Sequence, residues 1–227
     1  MGLTDQYRSV ADLPGTIPVF PLAGAILLPR GQLPLNIFEP RYLKMVDDAL
    51  RGERIVGMVQ PDGDEAILAS QIPGKTPKLC AIGCAGRITS FVETGDGRIV
   101  ITLTGISRFR ITNELAAVTP YRQCEVDWEE FADDLVAGHG QDAVSRERLL
   151  EILKEYLETH ELQADWRAIR LSSNETLVNS LCTISPYGPR EKQALLEAKT
   201  LEDRNQMLIA LTEKALRELA PGDATVQ

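Results

Sequence analysis

The stretch IPVFPLAGAILLPRGQLPLNIFEPRY, residues 17–42, decides how this chain is read. It is strongly apolar, yet Pro18, Pro21, Pro29, Pro34 and Pro40 interrupt it at short intervals. Each proline removes a backbone donor and blocks a helix interior, so no long helix fits. Proline also disfavours a central sheet strand. The segment is therefore expected to run as short edge strands and ordered loops. Ala25, Ile26, Leu27, Leu28, Leu33, Leu35, Ile37 and Phe38 then need burial. Two readings stay open: these side chains close a β-domain core, or part of the surface remains an exposed apolar groove for a protein partner.

Outward from this stretch the chain divides in two. To about Trp128 it shows short β-type runs broken by Gly and Pro; from about Asp142 its apolar residues fall three and four apart. Strands first and helices second make an α+β protein with separate domains, not alternating βαβ units. The expected boundaries are a tail over 1–16, a β-rich domain over 17–128, an acidic then Gly-rich linker over 129–143, a helical bundle over 144–220 and a tail over 221–227. The clearest local signal is a hairpin. Residues 98–104 (RIVITLT) alternate and face residues 86–92 (GRITSFV) across Thr94-Gly95-Asp96-Gly97. Gly105 then fits a bulge or corner. Residues 54–59 and 121–126 also read as strands. Pro40 fits a first helical position, with Tyr42, Met45, Val46, Ala49 and Leu50 as an apolar stripe ended by Gly52. Ser172 with Glu175, and Thr200 with Asp203, fit capping boxes. Leu149, Leu150, Leu153, Tyr156 and Leu157 form one helical stripe; Leu208, Leu211, Ala215, Leu216 and Leu219 form another.

Charge and composition exclude several classes. The 24 Lys and Arg against 33 Asp and Glu give a net charge of −9, which disfavours both nucleic-acid phosphates and anionic membrane surfaces. No run approaches the roughly 18 apolar residues of a transmembrane helix. With no export signal, the four cysteines read as reduced thiols of a cytoplasmic protein.

No catalytic pattern stands out. Gly74-Lys75-Thr76 resembles the end of a phosphate loop, but the glycine required five residues earlier is Ala69, and Pro77 follows where a helix must open. Lys75 and Lys78 therefore read as solvated loop residues. Cys80 and Cys84 on one strand would lie about 13 Å apart, too far to share a metal. With Cys124 and Cys182 they read as small buried hydrophobes. His139 and His160 are the only histidines, His139 between two glycines of the expected linker and His160 at a helix end, and Gly105 to Phe109 lacks the last glycine of a nucleophile elbow. Asp133 and Asp134 read as a solvated pair. Trp128, Phe131 and Trp166 fall near the expected domain junction, where packing or a cleft would use them.

The same opening stretch carries a resemblance. Ile17 to Leu22, Leu28-Pro29, and Leu33 to Tyr42 with its Phe-Glu-Pro-Arg-Tyr element are similar to the start of the Lon protease N-terminal, or substrate-binding, domain family. Residues 83–88 and 103–109 resemble the middle hairpin of that family, and the likeness runs to about residue 127. The resemblance implies a PUA-like β pseudo-barrel followed by a helical bundle, a β-domain also similar to that of cereblon-type proteins. It implies recognition of substrate proteins and gives no catalytic residue to this chain, in which neither a complete phosphate loop nor a Ser-Lys peptidase region is found.

The expected function is thus a non-enzymatic module that binds unfolded or extended polypeptides, with no cofactor and no metal. A Lon-type protease is a candidate partner, in an adaptor role in protein quality control. The candidate peptide-binding residues are Leu28, Leu33, Leu35, Phe38, Trp128 and Trp166. Glu39, Pro40, Arg41 and Tyr42 form a structural element, with Glu39 and Arg41 tying the loop to its neighbours and Tyr42 packing the helix on the sheet. The alternatives are a PUA-like nucleic-acid-binding module, a small-molecule-binding regulator, or an enzyme with titratable groups converging in a cleft.

Overall fold

The computed structural model describes residues 6–70, 72 and 75–219. These fall into two compact units. One is built from the chain up to Ala137 together with Thr183–Glu197; the other from Gly138–Cys182 and the chain from Ala198 onward.

The first unit holds β1 (Thr16–Pro21), β2 (Gln32–Ile37), α1 (Pro40–Arg51), β3 (Ile55–Val59), α2 (Asp64–Ser70), β4 (Ile82–Glu93), β5 (Ile99–Glu114), β6 (Arg122–Asp127) and α6 (Pro189–Glu197). The sheet order is β2-β5-β4-β3-β1-β6, and β6 also pairs with β5, so five strands close a ring and β2 lies outside it. The 16 residues of β5 make this possible. Its first half pairs with β2 from Ile99 to Thr104, and its last residues pair with β6 from Arg110 to Glu114. The two halves are separated by a bulge: Ala85 faces Ser107 and Gly86 faces Gly105, leaving Ile106 extra. The β4–β5 hairpin matches the sequence expectation but extends well beyond it at both open ends. α2 was not expected; its seven residues are too few to show a helical period.

The corner at Gly105 is tight. A Cβ there would stand 2.0 Å from the carbonyl oxygen of Leu28. The backbones are joined at this point, Arg30 N–H donating to Gly105 O and Gly105 N–H to Gly31 O, both at 2.9 Å. The proline-rich loop is thereby held to β5, and Ile26, Leu27 and Leu28 are almost completely buried.

One expectation is corrected here. β1 is not an edge strand; it runs between β3 and β6. Its prolines are accommodated because each missing donor falls outside the paired registers. Val126 N–H donates to Gly15 O, so by antiparallel alternation Ile17 and Val19 bond towards β6, and Pro18 faces the other side. Pairing with β3 starts only at Val19. Pro21 faces the β6 side, where pairing has ended at Val19. β2 is an edge, as expected. The Gly31–Gly105 bond sets Leu33, Leu35 and Ile37 towards β5, and Pro34 lies on the open side.

The core of this unit includes Ile17, Val19, Ile55, Val59, Ala85, Ile106, Phe109, Cys124 and Trp128. Tyr7 and Leu13 join it, so the described part of the expected tail over 1–16 is packed. Trp128 Nε1 donates to Pro14 O at 3.1 Å, and Tyr7 Oη accepts from Arg87 at 2.8 Å. The expected linker is likewise built in, since Glu129–Leu135 forms a 3-10 helix with Phe131 buried. Asp134 is not solvated: its carboxylate forks onto the buried Arg108 guanidinium at 2.8 and 2.9 Å and accepts the Arg108 backbone N–H at 2.9 Å. Arg108 also lies 4.5 Å from the centre of the Phe131 ring and donates to Leu196 O at 3.2 Å.

The second unit holds α3 (Arg146–Thr159), α4 (Trp166–Leu171), most of α5 (Asn174–Ile184) and α7 (Leu201–Leu219). Leu149 and Ile152 of α3 and Leu208 of α7 are buried, and Arg148 reaches Glu213 across these helices at 2.5 Å. Thr200 and Asp203 form the expected capping box before α7. Ser172 does not cap α5. Ser173 Oγ accepts from Thr176 N–H, whereas Ser172 Oγ donates back to Ile169 O and Glu175 accepts from Gly138 N–H. The serine one residue nearer the helix wins because Ser172 is engaged by the end of α4.

Three outcomes are expected. Gly105→Ala forces Leu28 and its loop off β5 and lowers stability by about 3 kcal/mol, read as a drop in thermal midpoint. Gly97→Ala, in open space with φ +82, costs only about 1–2 kcal/mol for its left-handed backbone. Pro34→Val returns a donor to the middle of the open β2 edge, and light scattering after size exclusion then shows self-association absent from the native chain at equal concentration.

Candidate functional site

The residues singled out in the sequence separate sharply. Leu28 has no exposed surface, and Leu35 and Trp128 are also core residues. As surface contacts for a peptide these three are corrected: Leu28 fills the space under the β5 corner, Leu35 faces into the sheet opposite Ile101, and Trp128 packs edge-on against Phe109 at 5.6 Å. Leu33 is half-buried, whereas Phe38 is 62% exposed. Trp166 belongs to the second unit, half-buried at the start of α4, where Asp165 caps the helix by accepting from Arg167 and Ala168 N–H.

The Phe-Glu-Pro-Arg-Tyr element acts locally. Glu39 stands before α1, and Pro40 opens it. Arg41 forks back onto Glu39 at 2.9 and 2.8 Å and lies 4.6 Å over the Tyr42 ring. Glu39 and Arg41 thus bond to each other across the helix start. Tyr42 is buried against Phe20 of β1, with ring centroids 4.2 Å apart, and burial raises its phenol pKa. The far end of α1 is tied by Asp48, which pairs with Lys44 and accepts from Tyr121 Oη at 2.8 Å. Both partners, Lys44 first, hold the Asp48 carboxyl below its ordinary range, and burial pushes the Tyr121 phenol up to about 12.

Phe38 has exposed apolar company that the sequence reading missed. It follows Ile37, the last residue of β2, which pairs with Ile99 at the tip of the β4–β5 hairpin. At that tip Val92 and Val100 face each other across the strands, 55% and 37% exposed, with Phe91 beside them. Alternation puts Val92, Val100 and Asn36 on the outer face and Leu35, Ile101 and Phe91 on the inner one. The only sequence signal was the failure of alternation at Phe91-Val92, where two apolar residues in succession leave one outside whichever way the strand turns. Acidic Glu39, Glu93 and Asp96 and basic Arg41 and Arg98 occur around it in the chain.

Among the described residues no group of three His, Cys, Asp or Glu side chains is placed to hold a metal ion. Cys80 and Cys124 are pushed up to about 11, chiefly by burial, so both are thiols and not thiolates near neutral pH. His160 bonds to the carbonyl of Tyr156 and stacks on its ring at 4.0 Å, one turn away on its own helix. No described helix is long and apolar enough to cross a membrane.

Known proteins agree with this architecture. Residues 16–214 match the family described as the ATP-dependent protease La (LON) substrate-binding domain. The chain is 26% identical over 210 residues to Lon protease 2 of Myxococcus xanthus and 24% identical over 205 residues to Lon protease of Flavobacterium johnsoniae. It covers 24% of the length of each, with 89% and 88% of its own length aligned. Among solved structures, the Lon N-terminal domain protein from Xanthomonas campestris is 26% identical with a TM-score of 0.59, covering 86% of this chain and 97% of that one. The N-terminal domain of a Mycobacterium avium complex Lon protease, at 18% identity and a TM-score of 0.63, shares the fold. With nearly all of its described strands and helices inside the matched region, the chain belongs to the LON substrate-binding domain family.

Proposed function

We propose that this chain is a non-catalytic module that binds unfolded or extended polypeptides through the exposed apolar surface around Phe38. The observation that carries the reading is the cluster of Phe38, Val92 and Val100, exposed together at one end of the sheet in a domain of a substrate-binding family. Half-buried Leu33, one β2 alternation from Leu35, shares the inner face with it and lies off this surface. Pro34 removes the central donor of the β2 edge, so recognition runs through side chains and not through an added strand. Each large apolar side chain buried on binding contributes about 1.5–3 kcal/mol before ordering costs, so several together give micromolar, sequence-tolerant affinity.

The closed ring of strands supports a PUA-like pseudo-barrel, and the helices of the second unit support a small bundle beside which Trp166 is a secondary contact. The cellular setting we infer is cytoplasmic, with the module presenting polypeptides to a Lon-type protease as an adaptor. The test is the affinity of the full chain for a reduced, carbamidomethylated and therefore unfolded protein, measured by fluorescence anisotropy. Phe38→Ser combined with Val92→Ser lowers affinity about tenfold while the thermal midpoint stays unchanged. An unchanged affinity in the folded variant overturns the reading.

A further inference from the structure

A cleft of about 530 Å³ lies in the first unit where the turn after β3 meets α6. Its apolar lining includes Pro61, Ile67, Ala81 and Ala194, and its acidic lining is Asp62 and Glu197. The volume falls within the range of clefts that take a small ligand group. The walls are preformed. Gln60 is 1% exposed; its Oε1 accepts from Gly24 N–H at 2.8 Å, while its Nε2 donates to Pro189 O at 3.0 Å and Gln193 Oε1 at 3.1 Å. Gln193 Nε2 in turn donates to Ile82 O at 3.0 Å. α6 is thus bolted to β3 and β4 by neutral hydrogen bonds, and the cleft is open before any ligand arrives.

The charge balance of the cleft is negative. Arg190 lines it but is forked onto Asp64 at 3.1 and 2.6 Å. Lys78 pairs with Asp62 at 2.5 Å from a side chain that is 81% exposed. Glu197 is exposed and accepts from the neutral amide of Gln193 at 2.7 Å. Two cations therefore meet two carboxylates, and the charge of Glu197 is in excess. The thiol of Cys80, half-buried in the same lining, senses this field: after burial itself, Asp62 and Glu197 raise its pKa, ahead of the opposing effect of Lys78.

We propose that this cleft docks a polypeptide segment in which a Lys or Arg stands beside apolar residues. The cationic head meets Glu197 and displaces Lys78 from Asp62, and the methylene stem and its apolar neighbours cover Pro61, Ile67 and Ala194. This rests on the polypeptide-binding reading and adds to it a second contact with a charge preference.

The test compares two fluorescent, otherwise identical Leu- and Ala-containing peptides, one with Lys and one with Glu at its centre, on the full chain. The Lys peptide binds about tenfold tighter, with the preference shrinking as salt rises. It also slows iodoacetamide alkylation of Cys80, read by mass spectrometry, and the combined Asp62→Asn and Glu197→Gln variant loses most of the preference while melting as the native chain does. If the Lys peptide leaves Cys80 alkylation unchanged, or the folded double variant keeps the full preference, the cleft proposal is wrong. The unfolded protein used to test Phe38 separates the two ideas: its binding without Cys80 protection sinks the cleft alone, and its failure to bind sinks both.

Discussion

The backbone contact between Gly105 and Leu28 is the constraint on which the first unit rests. A long antiparallel strand must turn a corner there, and a proline-rich loop must pass directly over the corner. Only a residue without a side chain permits both. The two hydrogen bonds of Arg30 and Gly31 to Gly105 then fix where β2 begins on β5. They also fix Ile26, Leu27 and Leu28 under the sheet. Beyond the corner β5 is free of β2 and turns to β6, which closes the ring. Removing one hydrogen-bonded contact of this kind changes the path of three strands at once, because β5 is shared by all of them.

A second anchor lies three residues on. Arg108 and Asp134 are both nearly buried, and such a pair is stable only when its remaining polar atoms are also met. Here the fork is supplemented by the Arg108 backbone N–H, the Leu196 carbonyl and the face of Phe131. One side chain therefore joins β5, the 3-10 helix after β6, and α6, which returns to the β unit from the helical half of the chain. Gln60 and Gln193 add a neutral set of bonds to the same helix.

What could be read in the sequence was what depends on near neighbours. The β4–β5 hairpin, the Pro40 helix start and the Thr200–Asp203 cap are each set by residues within a few positions of one another. The Phe-Glu-Pro-Arg-Tyr element carried the family. What failed was non-local. Asp134 looks solvated until β5 brings Arg108 to it, 26 residues away. Leu28 and Leu35 look available for a partner until β5 covers them. Tyr7 and Leu13 look like tail until the core cluster forms around Ile17. The exposed surface was misplaced for the same reason: Phe38 was legible as apolar, but its neighbours Val92 and Val100 come from strands paired across the sheet.

The prolines of β1 and β2 have a consequence for errors in assembly. Each sits with its missing donor where no ladder pairing is made. Slide β1 by one residue against β6 and Pro18 turns to face β6, where a bond is required; slide β2 by one against β5 and Pro34 does the same. An apolar segment rich in Leu and Ile would otherwise slip easily, since many of its offsets bury similar area. The prolines act as keys that fit one alignment, so the most adhesive part of the chain is also the part least able to pair wrongly.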